Sequence, residues 1–299
     1  MKLLRAATLS VASLERSITV YTEWLDYGVV EQTTLPEALA HAMEAPATAG
    51  APMAVLRPAS GADIFLRLIQ SEPHPDYVPL RSYGWAAIEI CVTDVLAANE
   101  RMLRSPHFEI IGPPREIEGL DAIYPMQMKG PDGEIVYLTQ IRDDLPAFDL
   151  PRASTLIDHL FILVMACSDL PASLAWMAAN TGMQIGREKM DIVYTMLAGA
   201  FDLPPDELHT IATMVHERDV FLELDQYPPA AVDRPRFDGS LVPGVALGTF
   251  SHPDFAALCT NDAAIAPVGR HDGVVYDGGR AVTLKGPDGT LIELIELDS

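Results

Sequence analysis

The 299-residue sequence predicts an α+β protein of two tandem modules, each made of two βαβββ units that curve into one eight-stranded mixed sheet with flanking helices. Two observations predict it. The first is an internal repeat: KGPDGEIVYLTQI from Lys129 returns as KGPDGTLIELIEL from Lys285, DIFLRLIQ from Asp63 returns as DVFLELDQ from Asp219, and Ser17 returns as Ser173, all at an offset of 156. The second is the alternation along each half between short strand-like apolar runs and single amphipathic helical stretches. The repeat breaks in DDLPAFDLPRAS, Asp143 to Ser154, where prolines and acidic residues interrupt any period. The expected organisation is therefore module 1 over 1–145, a linker over 146–154 and module 2 over 155–299.

In the first half a strand over 3–11 leads into SLERS, where Ser13 is placed to cap a helix running to about Tyr27. Strands follow over 28–32, 52–57 and 62–70. A strand over 85–92 precedes a helix over 94–103 with Thr93 or Asp94 as its cap, and three more strands end with 137–141. The turn GPDG before the last strand has Pro to fix φ at its second position and Gly to supply positive φ at its last. The aromatic and sulfur-bearing Met53, Tyr77 and Trp85 read as core or pocket lining, and 201–210 (FDLPPDELHT) as a loop over the second module.

Composition excludes several classes of function. With 20 Lys and Arg against 42 Asp and Glu the net charge is −22, a field that repels nucleic-acid phosphates and anionic membranes. Apolar runs such as LFILVMA (160–166) are too short to span a bilayer, and the N-terminus lacks a signal-peptide pattern, so a cytoplasmic protein is expected. Cys91, Cys167 and Cys259 are odd in number and lie among apolar residues, as reduced core thiols do. Nucleotide-binding glycine loops, a nucleophile elbow, Cys-x-x-Cys and His-Glu-x-x-His are absent from the sequence.

VASLERSITVYTEWLDYG after the first strand, VTDVLAANERML after the fifth, and the two KGPDG segments together resemble the vicinal oxygen chelate superfamily of glyoxalases, bleomycin-resistance proteins and extradiol dioxygenases. The resemblance implies cup-shaped modules whose metal ligands, two His or a His and a Gln plus a Glu, come from the first, fifth and eighth strands. On this sequence the eighth-strand Glu falls on Glu293, with Tyr137 as its counterpart, and the first-strand position falls near His159, with Leu3 as its counterpart. The fifth-strand position falls near Gly244 and Ala87, neither of which binds a metal. A divalent metal (iron, manganese or zinc) would then rest on His159, Glu293 and Glu223, the last because alternation puts it on one face with Phe221 and Asp225. His252 is a weaker candidate.

A metal-free site is the other expectation. Arg67, Glu89, Tyr137 and Thr139 fall where strands should face the first cup, and an apolar setting would raise the pKa of Glu89 into a range useful for acid–base work. Arg67 and Glu89 are equally readable as a buried ion pair, and Tyr137 as an ordinary strand aromatic. The resemblance implies an enzyme acting on a small oxygenated aromatic or keto-acid metabolite as a dioxygenase, lyase or isomerase. The alternative is a metal-free protein that binds and sequesters a small molecule, as bleomycin-resistance proteins do. Internal pairing of the modules suits a monomer, and a homodimer is equally compatible.

Overall fold

The computed structural model describes residues 3–296. Its strands are β1 (Leu4–Val11), β2 (Tyr27–Thr34), β3 (Pro52–Pro58), β4 (Phe65–Gln70), β5 (Gly84–Val92), β6 (Glu109–Gly112), β7 (Ile123–Lys129) and β8 (Ile135–Ile141), followed in the second half by β9 (Ile157–Cys167), β10 (Gln184–Val193), β11 (Leu208–His216), β12 (Asp219–Gln226), β13 (Gly244–His252), β14 (Gly269–Arg270), β15 (Arg280–Lys285) and β16 (Leu291–Glu296). The helices are α1 (Leu14–Leu25), α2 (Glu37–Ala42), α3 (Val95–Met102), α4 (Leu170–Thr181), α5 (Thr195–Ala200) and α6 (Phe255–Leu258). No helix among the described residues is long and apolar enough to cross a membrane.

Local chemistry sets the boundaries. Ser13 accepts a hydrogen bond from the Arg16 amide at the start of α1, and Asp94 accepts from Leu96 and Ala97 at the start of α3. Gly133 and Gly289 close the GPDG turns with φ of +82° and +71°, as expected. The contacts that dock each helix recur 156 residues later. Gln70 accepts from the Leu14 amide and Gln226 from Leu170; Asp132 accepts from Ala12 and Asp288 from Ser168.

The strands form two eight-stranded mixed sheets, as the sequence predicts, but their membership differs from the expected one. Sheet one has the order β14-β15-β16-β13-β1-β4-β3-β2, and sheet two the order β10-β11-β12-β9-β5-β8-β7-β6. Each sheet therefore takes one βαβββ unit from each half: the second and third units build sheet two, and the first and last close sheet one. The seams are antiparallel, β1 on β13 and β5 on β9. The alternation of apolar residues fixes which face of a strand is buried but not which strand lies beside it. With β9 next to β5, the unit following the linker pairs with the one preceding it, a short route between sequential elements.

One core fills the space between the sheets, where Leu66, Leu68 and Phe250 of sheet one meet Trp85, Ile88 and Leu163 of sheet two, with α1, α3 and α4 packed on it. Each sheet curves around a second cluster of its own, which defines two cups. Trp85 is buried in the shared core and its indole N–H donates to the Leu291 carbonyl at 2.7 Å.

Cross-half assembly has a direct consequence. Fragments 1–150 and 151–299 should co-purify as a 1:1 complex with a cooperative thermal transition, while fragment 1–150 alone should aggregate or self-pair through the free edges of β1 and β5. A monomeric, cooperatively melting 1–150 fragment in size-exclusion and calorimetric measurements would contradict this pairing.

Candidate active site

Register identifies which residues share the centre of each cup. In cup one Thr8 lies beside Arg67, and Thr249 beside Glu293. In cup two Val164 lies beside Glu223, and Glu89 beside Tyr137. The first-strand positions are thus Thr8 and Val164 rather than Leu3 and His159, and the fifth-strand positions are Thr249 and Glu89 rather than Gly244 and Ala87. The sequence count fell short of them by five residues at Thr8, Val164 and Thr249 and by two at Glu89.

Cup one is closed by its own side chains. Arg67 is 1% exposed at its centre, donating from Nε to Thr8 Oγ1 at 2.8 Å, from Nη1 to the Tyr276 hydroxyl at 2.5 Å and from Nη2 to Glu293 Oε2 at 3.1 Å. Thr249 and Tyr276 also donate to Glu293, at 2.8 and 2.9 Å. Burial alone would lower the Arg67 pKa, but Tyr276 and Glu293 outweigh it and hold the guanidinium charged. Above this network Leu35, Leu39 and Met43 from the α2 segment, with Leu241 and Val275, fill the cup. The expected Arg67–Glu89 pair does not form, because the two residues lie in different sheets.

Cup two is open, and a cavity of about 450 Å³ runs down to its floor. Glu89, Tyr137, Tyr194 and Glu223 all border the cavity. Thr139 donates to Glu89 at 2.5 Å, and the hydroxyls of Tyr137 and Tyr194 are hydrogen-bonded to each other. The walls are apolar, with Phe148, Phe161, Ile117, Ile123 and Met190 among them, and exposed Arg115 is the one basic side chain among the described lining residues. Leu145 at the end of the first half and Phe148 and Leu150 of the linker line the cavity, as do Thr195 at the start of α5 and Leu208, the residue of the expected 201–210 loop that opens β11.

The electrostatics follow from placing three carboxyls in one apolar cup. Burial, reinforced by the Glu223 charge and only partly offset by Thr139, lifts Glu89 to about 8. Burial likewise lifts Glu223 well above the carboxylate range, with neighbouring Asp225 adding to it. Asp225, lifted by burial to about 8, is 1% exposed and has one carboxyl oxygen, Oδ1, without a hydrogen-bond partner. Burial also raises Tyr137 and Tyr194 well above 10, so both stay protonated as donors.

The expected metal set His159, Glu293 and Glu223 is not brought together. Glu293 belongs to sheet one and is engaged by Arg67, whereas Glu223 and His159 belong to sheet two. His159 contacts Asp158 and Cys91 and does not line the cavity. His252, on sheet one, stacks edgewise on His216 at 5.6 Å. The metal that the resemblance implies does not fit either centre. In cup one a guanidinium already occupies it; in cup two Val164 offers no donor, no imidazole is among the described lining residues, and the carboxyls favour their protonated forms. Of the proposed acid–base residues, Glu89 and Tyr137 share the open cup, while Arg67 is sealed in the other. Sequence reasoning missed Tyr194, which lies just before α5, and Tyr276, which lies in a loop, because neither sits on a strand whose alternation would reveal its direction.

The fold is the vicinal oxygen chelate fold in its two-sheet, single-chain form. It is similar over nearly its whole length to glyoxalase I from Zea mays, with a TM-score of 0.63 and 19% identity over 99% of this chain and 92% of the maize chain. A putative dioxygenase from Bacillus subtilis is similar at a TM-score of 0.61 and 11% identity, over 99% of this chain and 86% of that one. The cppA protein from Streptococcus pneumoniae is similar at 0.50 and 12% identity, over 99% and 100%. No protein-family model and no curated protein matches the sequence.

Two predictions come from these environments. Arg67→Met strands Glu293 as a buried unpaired carboxyl and should cost about 3–5 kcal/mol in denaturant unfolding, with part recovered in Arg67→Met/Glu293→Leu; an additive or worse double variant would deny the pair. Glu89 is raised in the folded state from its usual 4.5 to about 8, so the native state holds a proton the unfolded chain releases, and stability should fall as pH rises through that interval. Glu89→Gln should flatten this decline in a Tm-against-pH series, whereas an unchanged slope would remove Glu89 as its source.

Proposed function

We propose that cup two is the active site of an enzyme that moves a proton on carbon, a lyase or isomerase acting on a small oxygenated aromatic or keto compound. The observation that carries this reading is a carboxyl poised near 8, Glu89, facing an open cavity alongside a tyrosine pair and a protonated carboxyl. Ionised Glu89 takes a proton from carbon next to a substrate carbonyl. Tyr137, through its pairing with Tyr194, and protonated Glu223 donate hydrogen bonds to the oxygen on which charge develops. On a β,γ-unsaturated ketone the Glu89 carboxylic acid then returns the proton to the γ-carbon of the dienolate, which moves the double bond into conjugation with the carbonyl and leaves Glu89 unchanged.

The walls select among the substrates the fold suggests. A volume of about 450 Å³ suits a single-ring compound, and Phe148 and Phe161 offer it apolar faces. A free carboxylate would meet Glu89 and Glu223 below and, among the described lining residues, Arg115 as the one basic side chain, so a neutral oxygenated ring fits the floor better than a keto acid. Extradiol ring cleavage has less support, because the strands at the centre of the cup lack the donor set it uses. The free, buried cysteines support a reducing, cytoplasmic setting. The predominance of apolar lining favours one second reading, a ligand trap without chemistry.

The test is nuclear magnetic resonance of a panel of small cyclic ketones, enols and phenols with the protein in heavy water. A ligand of cup two should show saturation transfer and lose its exchangeable carbon-bound proton signal. Glu89→Gln should still bind it but exchange about 10²–10⁴-fold more slowly. The exchange rate should rise with pH up to about 8 in the native protein. Binding without exchange would establish the trap instead, and exchange unaffected by Glu89→Gln would overturn the role of Glu89.

A further inference from the structure

The seam between β5 and β9 contains a second constellation, outside the cavity. Along this ladder Ile90 pairs with Leu160 and Val92 with Ile157, so Cys91 faces two residues, Asp158 and His159, across a bulge. A bulge of this kind re-aims consecutive side chains toward one partner. Cys91 Sγ lies 3.6 Å from His159 Nδ1, and the same nitrogen lies 3.0 Å from Asp158 Oδ1. One donor atom from each of the three residues lies within 4.8 Å of the others, and all three residues are buried. Asp158 Oδ2 is held by the Ser154 amide and hydroxyl at 2.6 and 2.9 Å, which leaves Oδ1 aimed at the cluster.

We propose that Cys91, Asp158 and His159 form a binding site for a borderline-soft divalent transition cation, with zinc the best match. A thiolate sulfur, an imidazole nitrogen and a carboxylate oxygen are the donors zinc takes, whereas magnesium and calcium prefer oxygen alone. Bonds of about 2.0 Å to nitrogen or oxygen and about 2.3 Å to sulfur, at tetrahedral angles, put donor atoms roughly 3.3–3.6 Å apart. The observed separations of 3.0 and 3.6 Å need little change to reach that geometry. On binding, the cation replaces the Cys91 thiol proton, which leaves to solvent, and substitutes for the hydrogen bond between His159 and Asp158. Water completes the fourth position. The ion clips the start of β9, the first strand after the linker, to β5, and so reinforces the pairing that joins the two halves. This site stands apart from the proposed chemistry in cup two.

Cobalt(II) titration of the full-length protein, stripped of metal under reducing conditions, tests the site. One equivalent should produce a thiolate-to-cobalt charge-transfer absorption that zinc abolishes by displacement. The absorption should be lost in Cys91→Ser and in His159→Gln, and kept in Cys167→Ser, Cys259→Ser and Glu89→Gln. Its absence in the native protein, or its persistence in Cys91→Ser, would overturn the proposal. X-ray absorption of the zinc-loaded native protein needs no variant to fold: one sulfur with nitrogen and oxygen neighbours is expected, and a sulfur-free shell would refute the site.

Discussion

The antiparallel pairing of β5 with β9, matched by β1 with β13, is the constraint from which the rest of the molecule follows. These seams decide which four central strands surround each cup, and hence which side chains meet. They put Glu89 and Tyr137 of the first half against Glu223 of the second, and Arg67 against Glu293 across 226 residues of chain. They also make the halves interdependent, because either one alone leaves strand edges unpaired.

The two cups differ at the same positions in register, and the difference explains why one is filled and the other open. Cup one has Arg67 and Glu293, which neutralise each other with hydroxyls from Thr8, Thr249 and Tyr276 satisfying the remaining donors and acceptors. Cup two has Glu223 where cup one has Arg67, and Tyr137 where it has Glu293. Among the described residues no internal cation is available to the carboxyls, so they lower their charge by holding protons, which raises their pKa values. A floor of protonated acids and tyrosine hydroxyls has hydrogen bonds to offer, and the cavity above it gives a small molecule room to accept them.

Much of this fold was legible in the sequence. The repeated KGPDG turns and the capping residues Ser13 and Asp94 each act over a few residues and appear where expected, whereas in FLELDQ Phe221 packs into the inter-sheet core instead of sharing the cup face of Glu223. The polar residues assigned to cup interiors, Arg67, Glu89, Tyr137 and Glu223, do face inward. Their grouping was not legible, because Arg67 and Glu89 belong to one half of the chain and to different sheets. The exchange of partners is a long-range choice that period-two alternation does not encode. The bulge that sets Asp158 and His159 opposite Cys91 is likewise invisible to a count of residues along a strand.

The central claim is that Glu89 is a carboxyl tuned by its cup for proton transfer near neutral pH. Its most direct test is a carbon-13 nuclear magnetic resonance titration of the glutamate carboxyls, with Glu89→Gln used to assign the signal. The account predicts a Glu89 midpoint near 8, well above its ordinary 4.5. A midpoint in the usual carboxylate range would contradict it.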